Sequence, residues 1–567
     1  MKNNMERNVE LSQMSLSKVV RQLCMVGVSG VVLAAPLTLQ AESRMPGVVD
    51  RPQDELRVAP VSPSTEVTDG VADFREPENG NEVVANVSRV SFQGNTVFKS
   101  KALEELAQPY LGSQMTKSDL AHLKYEIAKA YFKKGYILVK VVTPPQNISS
   151  GTLLVKVYEG KVGEIRLQGK GVSHAMARAR MHEVDSGDIF NERDAEEITR
   201  NVDDLHGVKG SLSVAPGKKA GTTDLVMNVT DVYDDYQQIS VDSYGSELTG
   251  KTTVGGIFHL SNLIGIGEQY GLKLRYSEDG FYSYDINTDL PLPLGTTSIE
   301  ASYFGSDNDI GGDLAGLGAS GETERFRIGF KASPVNTMRH KFTVRGGYEA
   351  REHISYLFDI EETHDSLRKL YGELGYTHRS ARAAFHLGAR VNAGLDGLGG
   401  DERYEADASR FAGDPEAIIF QPSVYLAFIP TPKDRINVFA YGQYADEITL
   451  SSDLFSIGGY GSVRGFRTSK ETGEHGAAAT IDYTHTFTPG EGWSFAVGPF
   501  YDIGHVDGKI DGAIVDETLH SAGLSMELKA TVAGTSRLRF DVAMPLGDYN
   551  DPLVDDATFY ARFSQRF

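Results

Sequence analysis

The chain is almost without cysteine: its one thiol, Cys24, lies inside the N-terminal segment. Disulfides, thiolate catalysis and cysteine metal sites are therefore excluded together for everything that follows. Cations are in short supply as well. Lys and Arg number 56 against 77 Asp and Glu, a formal charge of −21, and such a chain lacks the clustered cations that nucleic-acid phosphates require. Long apolar runs are missing too. Beyond the N-terminus no segment approaches the roughly 18 continuous apolar residues of a membrane-spanning helix. That leaves a β-barrel open, because its strands cross lipid with about 9–11 residues, only half of them apolar. Catalytic spacing is also lacking: there is no nucleophile elbow, no HExxH and no convincing His/Asp pairing, and His485, His505 and His520 are scattered singly. No enzymatic activity, cofactor or metal is expected.

What is present begins with a secretory signal. Lys18 and Arg21 run into "LCMVGVSGVVLAAPLTL" and then "LQAES", a basic start, a short apolar core and a small residue at the cut. Residues 1–41 read as the signal peptide, cleaved after Ala41. Cys24 precedes the apolar core, whereas a lipid-attachment cysteine would follow it. Removing a segment of net charge +2 takes the chain from −21 to −23. Residues 42–82 then form a linker, broken by prolines at 46, 52, 60, 63 and 77 and too polar to bury a core.

A repeat follows. "VSRVSFQGN" (Val87–Asn95) and "VGEIRLQGK" (Val162–Lys170) align Val87, Val90, Phe92, Gln93 and Gly94 with Val162, Ile165, Leu167, Gln168 and Gly169. After the first copy, Leu120, Leu123, Ile127, Ala130 and Tyr131 share one helical face, and Gly135 closes the helix. Two strand runs, "ILVKVVTPP" and "TLLVKVYEG", complete the unit. The second copy, with "SHAMARARMHEV", "ERDAEEITRNVDDLHGV", "GSLSVAPG" and "DLVMNVTDVY", is looser. The pattern predicts two β-α-α-β-β modules, at 83–160 and 161–235.

From Tyr236 onward helical periodicity gives way to strict alternation. "ERFRIGFK" sets Phe326, Ile328 and Phe330 against Arg325, Arg327 and Lys331; "RLRFDVAM" sets Leu538, Phe540, Val542 and Met544 against Arg537, Arg539 and Asp541. Alternation gives each strand one dry and one wet face. About 330 residues at roughly 20 per strand and connection make about 16 strands, large for a sandwich and ordinary for an outer-membrane barrel. Connections are of two kinds, tight ("TPK", 431–433) and long ("GLDGLGGDERYEADASRFAGDPE", 394–416), which is a barrel habit. Residues 236–567 are expected to form a transmembrane β-barrel of about 16 antiparallel strands, with Phe559, Phe563 and the terminal Phe567 on one face of its closing strand.

One stretch resists that pattern. "GGYGSVRGF" (Gly458–Phe466) holds four glycines and an arginine, but no helix follows it, so it cannot cradle a phosphate on a helix N-terminus. Downstream lies "FYDIG" (Phe500–Gly504). With Tyr501 and Ile503 facing lipid, Phe500, Asp502 and Gly504 face the lumen, and an inward aspartate there wants a cation that a folded-back loop could supply as Arg464.

These residues resemble the Omp85 superfamily, and within it the two-partner secretion transporters of the ShlB/FhaC/HecB type. "VRGF" (Val463, Arg464, Gly465, Phe466) is similar to that family's loop motif, "FYDIG" (Phe500, Asp502, Gly504) to its strand motif, and Phe563 and Phe567 to its barrel-assembly signal. The resemblance covers nearly all of the chain after the signal and implies two periplasmic POTRA domains before a barrel in a Gram-negative outer membrane. It further implies pairing of Arg464 with Asp502, contact with outer-membrane lipid and with the barrel-assembly machinery during biogenesis, and export of a large partner exoprotein: a haemolysin, adhesin or contact-dependent toxin. The family's N-terminal plug helix would have to fall in the short "RPQDELRVA". The alternative within the superfamily is an insertase for other outer-membrane proteins, which usually carries more POTRA repeats. A small-solute porin has no use for a duplicated periplasmic module.

Overall fold

The computed structural model describes residues 82–567 apart from 113, 220, 233, 246–247, 312–314, 317, 491, 511, 532–533 and 548–554. The signal peptide, its cleavage site and the plug position lie outside the described residues.

The first α+β module packs helices Ser100–Ala107 and Lys117–Phe132 on a three-stranded sheet. In it Arg89–Gln93 runs parallel to Thr152–Tyr158, which pairs antiparallel with Lys140–Val142. Thr116 starts the long helix with a capping box: its Oγ1 accepts from Asp119 N at 3.1 Å while Asp119 Oδ2 accepts from Thr116 N at 2.8 Å. The helical stripe then buries Leu123, Ile127 and Tyr131 against Val90, Leu153 and Val155, each large apolar side chain contributing about 1.5–3 kcal/mol. Glu159 closes the module. It accepts from the N–H groups of Thr96 and Val97 at 2.7 and 2.9 Å and from the Tyr131 hydroxyl at 2.7 Å. Burial opposes its ionisation, yet these donors hold its carboxyl below the ordinary range.

The second module repeats the scheme: Lys161–Gly169 runs parallel to Thr222–Asp231, which pairs antiparallel with Val208–Pro216, under helices His174–Ala179 and Glu192–Asp203. The repeated glycines occupy equivalent positions. Gly94 and Gly169 have φ of +89° and +101°, and a Cβ would come 2.4 Å from Val157 O and 1.9 Å from Val229 O. Only glycine allows that backbone so close to a carbonyl. Two elements are shorter than their sequence suggests. "ILVKVVTPP" yields a strand only at Lys140–Val142, ahead of Pro144 and Pro145, and "SHAMARARMHEV" a helix only at His174–Ala179.

From Tyr236 sixteen antiparallel strands close into a barrel. Closure joins the last strand, Thr558–Arg566, to the first, Tyr236–Asp242, in the register Arg562↔Asp242 to Arg566↔Gln238. Alternation sorts the faces as expected. Phe326, Ile328 and Phe330 are exposed on the outside, as are Phe540, Met544, Phe559, Phe563 and Phe567. Arg327 turns inward to Glu349, and Arg345 bridges Glu300 and Glu373 at 3.1 and 2.9 Å. No helix among the described residues is long and apolar enough to cross a membrane; strands do the crossing. The second module sits against the short-turn end of the barrel, with Ser173 N donating to Gly265 O at 2.8 Å and Asn336 Nδ2 to Arg200 O at 3.2 Å.

Candidate functional site

The long connection 446–474 joins strands Asp434–Ala445 and His475–Gly490 and folds back into the lumen. Its base carries a short pair, Phe455–Ile457 with Glu471–Gly473. Between these limbs the backbone turns where Gly458 and Gly459 adopt φ of +108° and +84°, and a Cβ on Gly458 would lie 2.3 Å from Arg467 O. Ser462 Oγ locks the tip, accepting from Gly458 N at 2.8 Å, and Gly459 N donates to Phe466 O at 3.1 Å. The glycines serve tight return, not slackness.

At the tip Arg464 has no exposed surface. Its Nε and Nη2 donate to Asp502 Oδ2 and Oδ1 at 2.7 and 2.8 Å, a two-pronged contact, and its backbone N–H adds a third bond to Oδ2 at 3.1 Å. The guanidinium also reaches Asp482 at 3.1 Å and Asp541 at 3.3 Å, and lies 3.4 Å above the Phe500 ring. Arg539 shares Asp541 at 2.9 Å. Three carboxylates therefore meet two guanidiniums, and the geometry of the fork fixes the loop's depth and orientation. A buried pair of this kind sets position; breaking it by removing one partner costs about 3–5 kcal/mol because the other charge is left uncompensated.

The neighbouring residues complete the dock. Val463 and Phe466 pack with Phe455 and Ile457 against Ala478, Val506 and Leu519 of the wall. Gly504 lies beneath them, where a Cβ would come within 2.9 Å of both Ile457 Cγ2 and Val463 Cγ2. Gly465 N donates to the Tyr560 hydroxyl at 3.0 Å, and Thr558 Oγ1 donates to Gly465 O at 3.1 Å. Tyr460 stacks on Tyr244 with ring centroids 3.4 Å apart. The structure thus brings Val463, Arg464, Gly465 and Phe466 together with Phe500, Asp502 and Gly504. Phe563, facing outward on the closing strand, and Phe567, exposed just past its end, lie elsewhere.

Sequence reasoning did not name Asp482, Tyr460, Tyr244 or Tyr560 as part of this site. Alternation in "RLRFDVAM" sets Asp541 on the wet face, which is the available signal. Sequence reasoning also missed a second anchor. Asp453, in the turn Ser451–Asp453, pairs with Arg351 at 2.8 Å and with Lys369, all buried. Arg351 and Lys369 belong to the seventh and eighth strands, whereas Asp482, Asp502 and Asp541 belong to the twelfth, thirteenth and fifteenth. The connection is held on both sides of the lumen.

A family described as haemolysin secretion/activation protein ShlB/FhaC/HecB matches residues 221–530, more than half of the chain. The chain belongs to the ShlB/FhaC/HecB family. A ShlB-type POTRA domain matches residues 85–160. Similar proteins include the heme/hemopexin transporter protein HuxB of Haemophilus influenzae, 22% identical over 82% of this chain and 84% of that one. The outer membrane transporter CdiB of Escherichia coli is 23% identical over 69% of this chain and 67% of that one. Among solved structures, CdiB from E. coli superimposes with a TM-score of 0.71 at 20% identity, covering 91% of this chain and 96% of that one. CdiB from Acinetobacter baumannii gives 0.64 at 19% identity with the same coverage; both likenesses concern the fold. This ShlB/FhaC/HecB member is an Omp85-superfamily transporter of the outer membrane, with its POTRA region in the periplasm.

Proposed function

We propose that this transporter serves a two-partner secretion system: its periplasmic POTRA modules capture one large exoprotein, which passes through the barrel as an extended chain. The observation that carries the reading is the connection 446–474, pinned inside the lumen by Arg464 on Asp502 and by Asp453 on Arg351. A loop anchored across the lumen behind paired periplasmic modules suits a gated passage for a polypeptide better than a permanently open small-solute pore. The module sheets have edges at Lys140–Val142 and Val208–Pro216. Such edges accept an extended client by strand addition, with backbone bonds supplying affinity without demanding one sequence.

Export then proceeds without nucleotide. The client's own folding outside the cell withdraws each emerged segment from the return path, which biases transit outward. During transit the Arg464 loop leaves its dock or shifts within the lumen. The roles of Val463, Arg464, Gly465 and Phe466 as the pore-loop motif, of Phe500, Asp502 and Gly504 as its dock, and of Phe563 and Phe567 as the assembly signal belong to this proposal.

Deleting the gene in its host and comparing culture supernatant with outer-membrane fractions tests the reading. Loss of one very large exoprotein, with the other barrels unchanged, is expected. A general fall in outer-membrane barrels, with exoproteins retained until those barrels fail, would replace the exporter by an insertase.

A further inference from the structure

Outside the loop and its dock, ligand-bearing side chains converge at the junction of the second POTRA module with the barrel mouth. His206 follows helix Glu192–Asp203, and its backbone N–H donates to Gly267 O at 3.0 Å in the short connection after strand Thr253–Ser261. His259 lies on that strand between the outward-facing Phe258 and Leu260, so its own side chain points inward. Asp234 is exposed on the link between the module and the first barrel strand. One ligand atom from each of His206, Asp234 and His259 lies within 4.8 Å of the others.

Two further observations mark the place. The Nδ1 of His259 is shut off from solvent and has no hydrogen-bond partner among the described residues, a state that is unfavourable unless something fills it. Tyr236 stacks on the same ring at 4.9 Å and holds its plane, while the His206 ring stands edge-on at 6.3 Å. Behind His206, Asp289 Oδ2 lies 3.7 Å from Nε2, the position of the outer carboxylate that orients a ligating imidazole.

We propose that His206, His259 and Asp234 bind a divalent zinc ion that ties the second POTRA module to the barrel. Two imidazole nitrogens and one carboxylate oxygen are a ligand set suited to zinc, with a fourth position left to water. Bonds of about 2.0–2.2 Å place tetrahedral ligand atoms about 3.4 Å apart. The cluster must therefore close slightly, and Asp234, exposed on a connection, has room to do so. The three ligands come from the module, the link and the barrel. Ion binding would thus restrict rotation of the module over the lumen entrance through which a client must pass.

The test uses the full-length protein purified in detergent without a histidine tag, stripped with chelator and dialysed against zinc chloride. Stoichiometric zinc is expected in the wild type, and cobalt chloride in its place should give the visible absorption of a tetrahedral site. His206→Gln, His259→Gln and, on the exposed link, Asp234→Asn should each weaken binding by about tenfold or more. Heat-modifiable electrophoretic migration identifies the variants that retain a folded barrel, and Asp234→Asn, which alters no packed side chain, keeps the comparison available. Wild type without bound zinc, or folded variants that bind it as the wild type does, would overturn the proposal.

Discussion

Asp453 and Arg351 meet at 2.8 Å inside the barrel, joining a turn of the long connection to the wall opposite the Arg464 dock. Lys369 shares the same carboxylate, and the three side chains are buried. The connection is therefore held at two places, and weakening either should change how often the lumen is open.

Asp453→Asn removes the charge that Arg351 and Lys369 face while keeping the side-chain volume. Arg351 keeps Glu349 at 2.6 Å, so the cost falls mainly on Lys369, about 3–5 kcal/mol for a buried pair broken by removing one partner. Each 1.4 kcal/mol that falls on the docked state raises the undocked fraction about tenfold. In planar bilayers the variant should open more often than the wild type by at least that factor. Unchanged opening would show that the turn does not restrain the loop.

Gly504→Val tests the dock without touching its charges. Gly504 has no need of glycine's backbone, since its φ is not positive; it is small because Ile457 and Val463 occupy the space where its Cβ would stand, at 2.9 Å. Overpacking costs about 1–3 kcal/mol and falls on the loop. Export of the exoprotein should drop in Gly504→Val and less so in Gly504→Ala, with barrel content of the membrane unchanged. Full export by the valine variant would show that the loop tolerates displacement.

Glu159 gives the first POTRA module a pH dependence of known sign. Burial works against its charge, but donors from Thr96, Tyr131 and Val97 hold its folded pKa below the ordinary 4.5. Its contribution is therefore complete above 4.5 and is lost as pH falls through the depressed folded value. Among the described residues the α-helices lie in the two modules, so the far-ultraviolet helical signal of those residues reports on them. Helix melting should move to lower temperature as pH drops through this window. Glu159→Gln should melt lower at neutral pH, by about 1.5–3 kcal/mol of lost charge-assisted bonding, and should show a flatter acid dependence. Equal acid sensitivity in the variant would assign the effect to another group.

How much of this was legible beforehand follows from which forces are local. Period-two alternation reports a strand's two faces directly, so Phe326, Ile328 and Phe330 could be set outside and Arg327 inside from the sequence. The paired glycines at 94 and 169 marked the repeat because the same backbone conformation recurs. Arg464 and Asp502 could be brought together because an inward carboxylate and a glycine-bounded arginine are complementary. Asp453 with Arg351 and Lys369 could not, because a contact across a lumen depends on which strands stand opposite each other, and alternation is silent about that. The same holds for His206, Asp234 and His259, which only the docking of module on barrel assembles. The apolar pattern runs on past helix His174–Ala179 and strand Lys140–Val142, and for the strand Pro144 and Pro145 supply the stop.

The central claim is that the Arg464–Asp502 dock governs passage of a client through the lumen. Its most direct measurement is the amount of exoprotein released by cells carrying Arg464→Ala, alongside heat-modifiable migration of the transporter in their outer membranes. The account predicts a sharp loss of release from a barrel that is inserted and folded, with Arg464→Lys failing to restore it because an ammonium cannot reproduce the two-pronged contact. Wild-type release from a stably inserted Arg464→Ala barrel would contradict it.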